Sequence, residues 1–117
     1  MTDEFKEQLK AAKVDVEKAL ERFMHNENLY GKFLKKFLRD ETFRNLEHAL
    51  NDSDRENAFM YAHTLKGIAG NFEFIGLLEL LIPMTEQLRN GEIDNIKEMF
   101  DMLQPRYLQI CKIIENI

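Results

Sequence analysis

The sequence predicts an all-α protein, an antiparallel up-down four-helix bundle with one or two short extra helices at its N-terminus. Three observations favour this fold. A chain of 117 residues is long enough for one core, so a single domain over residues 1–117 is expected. Five glycines and two prolines leave little room for a turn-rich β fold. Apolar residues recur at three- and four-residue spacings over long segments, as they do in core-facing helices.

The two N-terminal helices are predicted from their first residues. Thr2 is followed by two acidic residues, a pattern typical of a helix start, and this helix extends to about Ala12. Asp15 has the same capping character and begins a second short helix that ends near Met24.

Four long helices follow, each with an apolar stripe and with flanking residues that favour helix ends. Ser53 and Glu56 have the spacing of a capping box at the start of the second one. Pro83 and Pro105 predict bends in the third and fourth, because proline has no N–H to donate. Packing the four stripes together gives the bundle. The predicted ranges are 26–50, 53–71, 74–89 and a last helix after Gly91.

Charge and composition exclude several classes of protein. Sixteen Lys and Arg against twenty-one Asp and Glu give a net charge of −5, the wrong sign for binding the phosphates of nucleic acid. The single cysteine, Cys111, cannot form an intramolecular disulfide, and the acidic start lacks the features of a signal peptide, so a cytoplasmic protein is expected. The most apolar stretch, 75–84, contains Glu79 and is shorter than the roughly 20 residues of a membrane span.

The helix that starts at Ser53 carries an unusual histidine. On a wheel at about 100° per residue, its core stripe lies opposite His63, which must therefore point outward. Two glycines share the outward face, and each costs on the order of 1 kcal/mol relative to alanine, so we infer that another surface approaches closely there. The core stripe consists of Ala58, Tyr61, Ala62, Leu65, Ile68, Ala69 and Phe72. The outward face also holds Glu56, Phe59, Met60, Lys66, Gly67 and Gly70.

These residue types suit phosphoryl chemistry. The neutral form of an exposed imidazole is a nucleophile toward a phosphoryl group. Lys66, one turn from the histidine, offsets charge that builds up on phosphoryl oxygens, and the absent side chains at Gly67 and Gly70 let a partner close over the ring. Phe59 and Met60 offer apolar contact area for transient docking.

Residues 61–71, with the sequence Y-A-H-T-L-K-G-I-A-G-N, resemble the signature of histidine-containing phosphotransfer (HPt) domains, in which A-H-x-L-K-G precedes a small residue and often an Asn. Residues 26–57 are similar to the family's long helix before the histidine helix. The resemblance implies a four-helix-bundle carrier of a two-component phosphorelay. It makes His63 the phosphoacceptor, Lys66 the charge-stabilising residue and Gly67 the residue that gives the partner access.

The resemblance also implies the partners. The phosphoryl group comes from a phospho-aspartate of a receiver domain, in a response regulator or a hybrid sensor histidine kinase, and passes to another receiver. In the family the receiver brings the divalent metal, so this chain should bind no metal itself, and no cofactor is expected. The sequence has no Gly-rich phosphate loop to hold a nucleotide, so no kinase activity of its own is expected. A monomer is expected, without nucleic-acid or membrane partners.

One position departs from the family pattern. A glycine is usual ten residues after the histidine, where this chain has Glu73. The turn after the histidine helix is therefore left open, together with the residues of the next helix that face His63. The candidates on that helix are Pro83, Met84, Thr85, Gln87 and Arg89.

Three other functions fit the sequence less well than phosphotransfer. The main alternative is a phosphate-independent helical interaction module that docks or sequesters a receiver domain. The combination of His63, Lys66 and Gly67 argues against it, because a surface used only for binding needs no nucleophile. A nucleic-acid binder is disfavoured by charge. A di-metal bundle needs Glu-x-x-His pairs, and the positions three before the histidines are Arg22, Asn45 and Met60.

Overall fold

A computed structural model describes residues 1–117 as seven helices and no strand, so the predicted all-α class is confirmed. A core of 29 buried apolar residues runs from Phe5 to Ile114. The helices are α1 Asp3–Ala11, α2 Val16–Arg22, α3 Glu27–Phe37, α4 Thr42–Asn51, α5 Arg55–Asn71, α6 Ile75–Arg89 and α7 Ile96–Glu115. The histidine-bearing helix, α5, packs against α4 and α6, while α7 packs against α6, α3 and α1. None of the seven has both the length and the apolar character that crossing a membrane requires.

The two short N-terminal helices begin as predicted. The Thr2 hydroxyl accepts a hydrogen bond from the Phe5 N–H at 3.1 Å, and an Asp15 carboxylate oxygen accepts one from the Lys18 N–H at 3.2 Å. Each side chain thus satisfies one of the N–H groups that a helix start leaves unpaired.

The prediction of one long helix over 26–50 is wrong, because the segment forms two helices, α3 and α4. The last turn of α3 tightens, with the N–H groups of Arg39 and Asp40 bonded three residues back. The Asp40 carboxylate then accepts the Thr42 N–H at 2.8 Å, a local bond that competes with continued helix. The apolar stripe continues across this break, which explains why the spacing alone suggested a single helix. Its buried members are Tyr30, Leu34, Phe37, Phe43, Leu46 and Ala49.

The capping box predicted at Ser53 is also wrong. Ser53 has a positive φ of 55° and ends α4, with its N–H bonded to Leu50 and the next N–H, of Asp54, bonded to Ala49. This pair of bonds is a Schellman motif. Since the preceding helix uses Ser53 to end, the cap of α5 moves to Asp54, whose carboxylate accepts the Asn57 N–H at 3.2 Å.

The turn between α5 and α6 is a second Schellman motif, with Glu73 at the position that usually takes glycine. Glu73 has a φ of 55°; its N–H bonds to Gly70 and the following N–H, of Phe74, bonds to Ala69. The left-handed conformation strains a residue with a Cβ, so other contacts must hold Glu73 there.

The N-terminal segment supplies these contacts. Arg22 at the end of α2 donates from Nε to a Glu73 carboxylate oxygen at 2.8 Å, and that carboxylate is buried. The Asp15 N–H donates to the Glu73 carbonyl at 3.0 Å, and Val14 and Phe74 form an isolated β-bridge. The segment between α1 and α2 thus pairs with the turn between α5 and α6 through side chain and backbone together.

The last two helices contain the two prolines. The helical conformation continues through Pro83 in α6 and Pro105 in α7, and the bends expected there stay predictions. The last helix begins at Ile96, five residues after Gly91, so Ile93 lies in the connection and is exposed. The helices α5 and α6 run antiparallel, because the turn joins them at one end and Arg89 contacts Phe59 at the other.

The ion pair between Arg22 and Glu73 predicts that the stability cost of replacing Arg22 depends on whether the Glu73 carboxylate is present. Arg22→Ala leaves a buried carboxylate without its partner and should lower the free energy of unfolding by about 1–3 kcal/mol. In a Glu73→Gly background there is no carboxylate to strand, so the same change should cost less than about 0.5 kcal/mol.

Denaturant unfolding of the wild type, Arg22→Ala, Glu73→Gly and the double variant measures this coupling. Arg44→Ala is the matched control, because the 3.9 Å pair of Arg44 with Glu41 is exposed on both sides and should contribute little. An equal cost of Arg22→Ala in both backgrounds would show that Arg22 does not stabilise the turn through Glu73.

Candidate functional site

The direction of His63 follows from the buried face of α5. Ala58, Ala62, Leu65 and Ala69 are buried on that face, and His63, on the opposite side of the helix, is exposed as the wheel predicts. Tyr61 and Ile68, which were assigned to the core stripe, lie at its edges and are half-buried.

The imidazole of His63 is in contact with one neighbour on its own helix. The rings of Phe59 and His63 stack with centroids 5.9 Å apart and planes 21° apart. Phe59 is half-buried, so it offers less surface to a partner than the sequence suggests. Met60 is 47% exposed, in keeping with a docking contact. The Thr64 hydroxyl donates back to the Met60 carbonyl at 2.9 Å, which satisfies this hydroxyl within the helix.

Lys66 lies one turn after His63 on the same side of α5 and is half-buried. Its ammonium group takes part in none of the nine ion pairs of the protein. The charge is therefore not neutralised within the chain and is available to an anion brought to the histidine.

The two glycines of this face have open space in front of them. A Cβ added to Gly67 or Gly70 would meet no atom within 4 Å. By contrast, a Cβ at Gly76 would lie 3.2 Å from the Cβ of Lys13, where the N-terminal segment crosses α6. Nothing inside the protein requires glycine at 67 or 70, so the reason for these two residues lies outside the chain.

A groove next to this face was not predicted. Two adjoining cavities of about 510 and 330 Å³ share Phe33, Ile68 and Phe72 as lining residues, between α3 and the last turns of α5. Phe33 has the spacing of a core residue in the apolar stripe of α3, but it is 38% exposed. We call this feature the α3–α5 groove. Its polar rim consists of Arg22, Asn71, Lys36, Arg39 and Asp40.

The neighbouring helix α6 contributes one residue to the other side of the site. The Arg89 guanidinium lies 5.5 Å from the centroid of the Phe59 ring and donates to a Glu86 carboxylate oxygen at 2.8 Å. Among the five α6 candidates, Arg89 thus lies against a site residue. Met84 and Thr85 are buried, and Pro83 and Gln87 are half-buried. No three His, Cys, Asp or Glu side chains lie close enough together to hold a metal ion.

A family model, the Hpt domain, matches residues 33–117, which is most of the chain. The protein therefore belongs to the Hpt domain family. Hpt domains are phosphocarriers of two-component phosphorelays rather than catalysts, and their partners are receiver domains of response regulators. The matched range starts within α3 and leaves α1 and α2 outside it. Comparisons with curated proteins and with solved structures found no match.

The open space at Gly67 predicts that a side chain placed there is tolerated by the fold but interferes with phosphotransfer. Gly67→Ala should raise the free energy of unfolding by up to about 1 kcal/mol, because alanine is the better helix former and nothing obstructs its Cβ. Gly67→Gln should fold as well as wild type but slow phosphotransfer from a receiver, because its side chain fills the approach to His63.

Thermal unfolding and the rate of phosphotransfer measure the two effects. Gly76→Ala is the matched control: its Cβ meets Lys13, so it should gain no stability. Clearance at Gly67 is the wrong explanation if Gly67→Gln transfers at the wild-type rate or unfolds the bundle.

Proposed function

We propose that this protein is a histidine phosphotransfer protein that accepts a phosphoryl group on His63 from a receiver phospho-aspartate and passes it to another receiver. The observation that carries the proposal is the exposed His63 beside an unpaired Lys66 and an unobstructed Gly67. We assign the four-helix up-down bundle to α3 with α4, α5, α6 and α7, within one domain that spans residues 1–117 and includes α1 and α2.

The transfer step forms one bond and breaks one. The lone pair of a neutral ring nitrogen of His63 attacks phosphorus, and the bond from phosphorus to the aspartate oxygen of the receiver breaks. The aspartate leaves as a carboxylate with the bonding electrons. The proton on the other ring nitrogen stays on the phosphorylated ring or passes to water. Transfer to the next receiver is the same step in reverse.

Lys66 and Gly67 act on this step in different ways. The Lys66 ammonium stabilises negative charge on the phosphoryl oxygens as they move between the two proteins. Gly67 presents no side chain on the approach to His63, so the acidic pocket of a receiver reaches the ring. The divalent metal of the reaction belongs to the receiver, and the carrier provides the nucleophile and one cation.

The docking surface extends from His63 in two directions. Met60 and Gly70 lie beside it on α5, and the α3–α5 groove adds Phe33 and Ile68. Lys36 and Arg39 on the groove rim give this side of an acidic protein a local positive charge, which suits a partner whose phosphorylated site is anionic. We assign the monomeric protein to the cytoplasm, where receivers are found.

His63→Gln should abolish phosphorylation while leaving the helix content unchanged, because glutamine is polar and of similar size but lacks the nucleophilic nitrogen. Two phosphodonors test this: a phosphorylated receiver domain and phosphoramidate, a small donor that needs no docking. Acid-labile phosphate on the protein and its mass increase are the measurements. His48→Gln, at an exposed histidine of α4, is the matched control and should be phosphorylated normally.

The outcomes separate the candidate functions. A protein that binds receivers but takes no phosphate from either donor would be the interaction module and not a carrier. Persistent labelling of His63→Gln would assign the phosphate to another residue. Labelling from ATP alone would contradict the absence of kinase activity, which is expected because no Gly-rich phosphate loop is present.

Lys66→Ala should slow transfer roughly ten- to a hundredfold, near 1.4 to 2.7 kcal/mol, because the lost cation faces phosphoryl charge at a surface shielded only while the receiver is docked. Thermal stability should change little, since Lys66 holds no partner in the fold. Single-turnover transfer at saturating receiver and metal is the measurement. Lys112→Ala, on the exposed side of α7, is the control and should transfer like wild type. An equally fast Lys66→Ala would make this lysine an ordinary solvated residue.

A further inference from the structure

His63 does not stand alone on the surface of α5. The Phe59 ring, one turn earlier, lies nearly parallel to the imidazole at a centroid distance of 5.9 Å, within the range of an offset stack. Phe59 itself is half-buried, and the Arg89 guanidinium from α6 lies 5.5 Å from the same ring. Arg89 is in turn held by its ion pair with Glu86 at 2.8 Å. The stacking partner of the histidine is therefore anchored by two helices.

We propose that Phe59 is a positioning residue for His63: it limits the side-chain torsions of the imidazole so that the ring is already oriented when a receiver docks. This inference rests on the proposed role of His63 as phosphoacceptor. It assigns to Phe59 an effect on the transfer step itself, in place of the apolar docking contact that its residue type suggests.

The geometry of the reacting ring supports this role. The lone pair that attacks phosphorus lies in the plane of the imidazole, at its edge. The Phe59 ring lies nearly parallel to the imidazole, so the stack fixes the plane that contains this lone pair. An exposed histidine in a helix, without a stacking partner, samples two main χ1 wells and a broad χ2, and transfer proceeds only from orientations that direct a nitrogen at phosphorus. A stack that favours one orientation of the imidazole lowers the entropy cost of orienting it during transfer, and so lowers the activation free energy.

Positioning and docking predict different kinetics. A docking contact changes the receiver concentration at half-maximal rate, while a positioning contact changes the limiting rate at saturating receiver. Ile68 of the α3–α5 groove is the matched docking control, since it is half-buried on the same helix and lies five residues after His63, which places it about 140° around the helix from the imidazole.

The experiment is single-turnover phosphotransfer over a range of receiver concentrations, with thermal unfolding as a check that each variant folds. Phe59→Leu should lower the limiting rate about three- to tenfold, as expected when one of a few rotamers is no longer favoured, with the half-saturating concentration unchanged. Phe59→Tyr keeps a stacking ring and should restore the rate. Ile68→Ala should raise the half-saturating concentration and keep the limiting rate.

Proton NMR of the unphosphorylated protein tests the stack directly. The imidazole C–H signals of His63 should carry a ring-current shift that is absent from exposed His48 and is lost in Phe59→Leu. The proposal is overturned if that shift is missing in the wild type, or if Phe59→Leu changes only the half-saturating concentration. Failure of the underlying phosphoacceptor role has a separate signature, the absence of His63 labelling by phosphoramidate in the wild-type protein.

Discussion

The burial of an alanine-rich stripe determines what α5 can present to a partner. Ala58, Ala62 and Ala69 are buried, and such small side chains allow α4 and α6 to pack closely on either side. With both flanks occupied, the surface of α5 that remains free is the strip centred on His63. The direction of the histidine thus follows from core packing, and no separate contact is needed to turn it outward.

The turn at Glu73 shows how a segment outside the family match shapes the same surface. Glycine is the residue with least strain at this left-handed position, and a glutamate persists there only with support from elsewhere. That support comes from Arg22 and the chain between α1 and α2. Arg22 also lies on the rim of the α3–α5 groove. The end of α5 and the edge of the α3–α5 groove therefore depend on the N-terminal helices, although the Hpt match begins within α3.

The sequence predicted the features that depend on residues close together in the chain, and it did not predict those that join distant segments. The faces of α5, the caps at Thr2 and Asp15 and the exposure of His63 arise from residues within a few positions of one another, and periodicity identifies them. The cap of α5 was predicted at Ser53 and lies at Asp54, because the end of α4 occupies Ser53. The partner of Glu73 is 51 positions away, and no local pattern indicates it. The groove at Phe33 and the contact of Arg89 with Phe59 likewise join distant segments.

The protein carries several features that no contact within the chain explains. Lys66 is a cation without an ion pair, Gly67 weakens its helix with no internal reason, and Phe33 is a partly exposed aromatic residue. The glycine lowers the stability of the helix slightly. A carrier must also release each receiver after transfer, so these interactions have to be few and individually weak. A small groove and one cation around an already oriented imidazole meet both requirements, because orientation speeds the transfer without strengthening the complex.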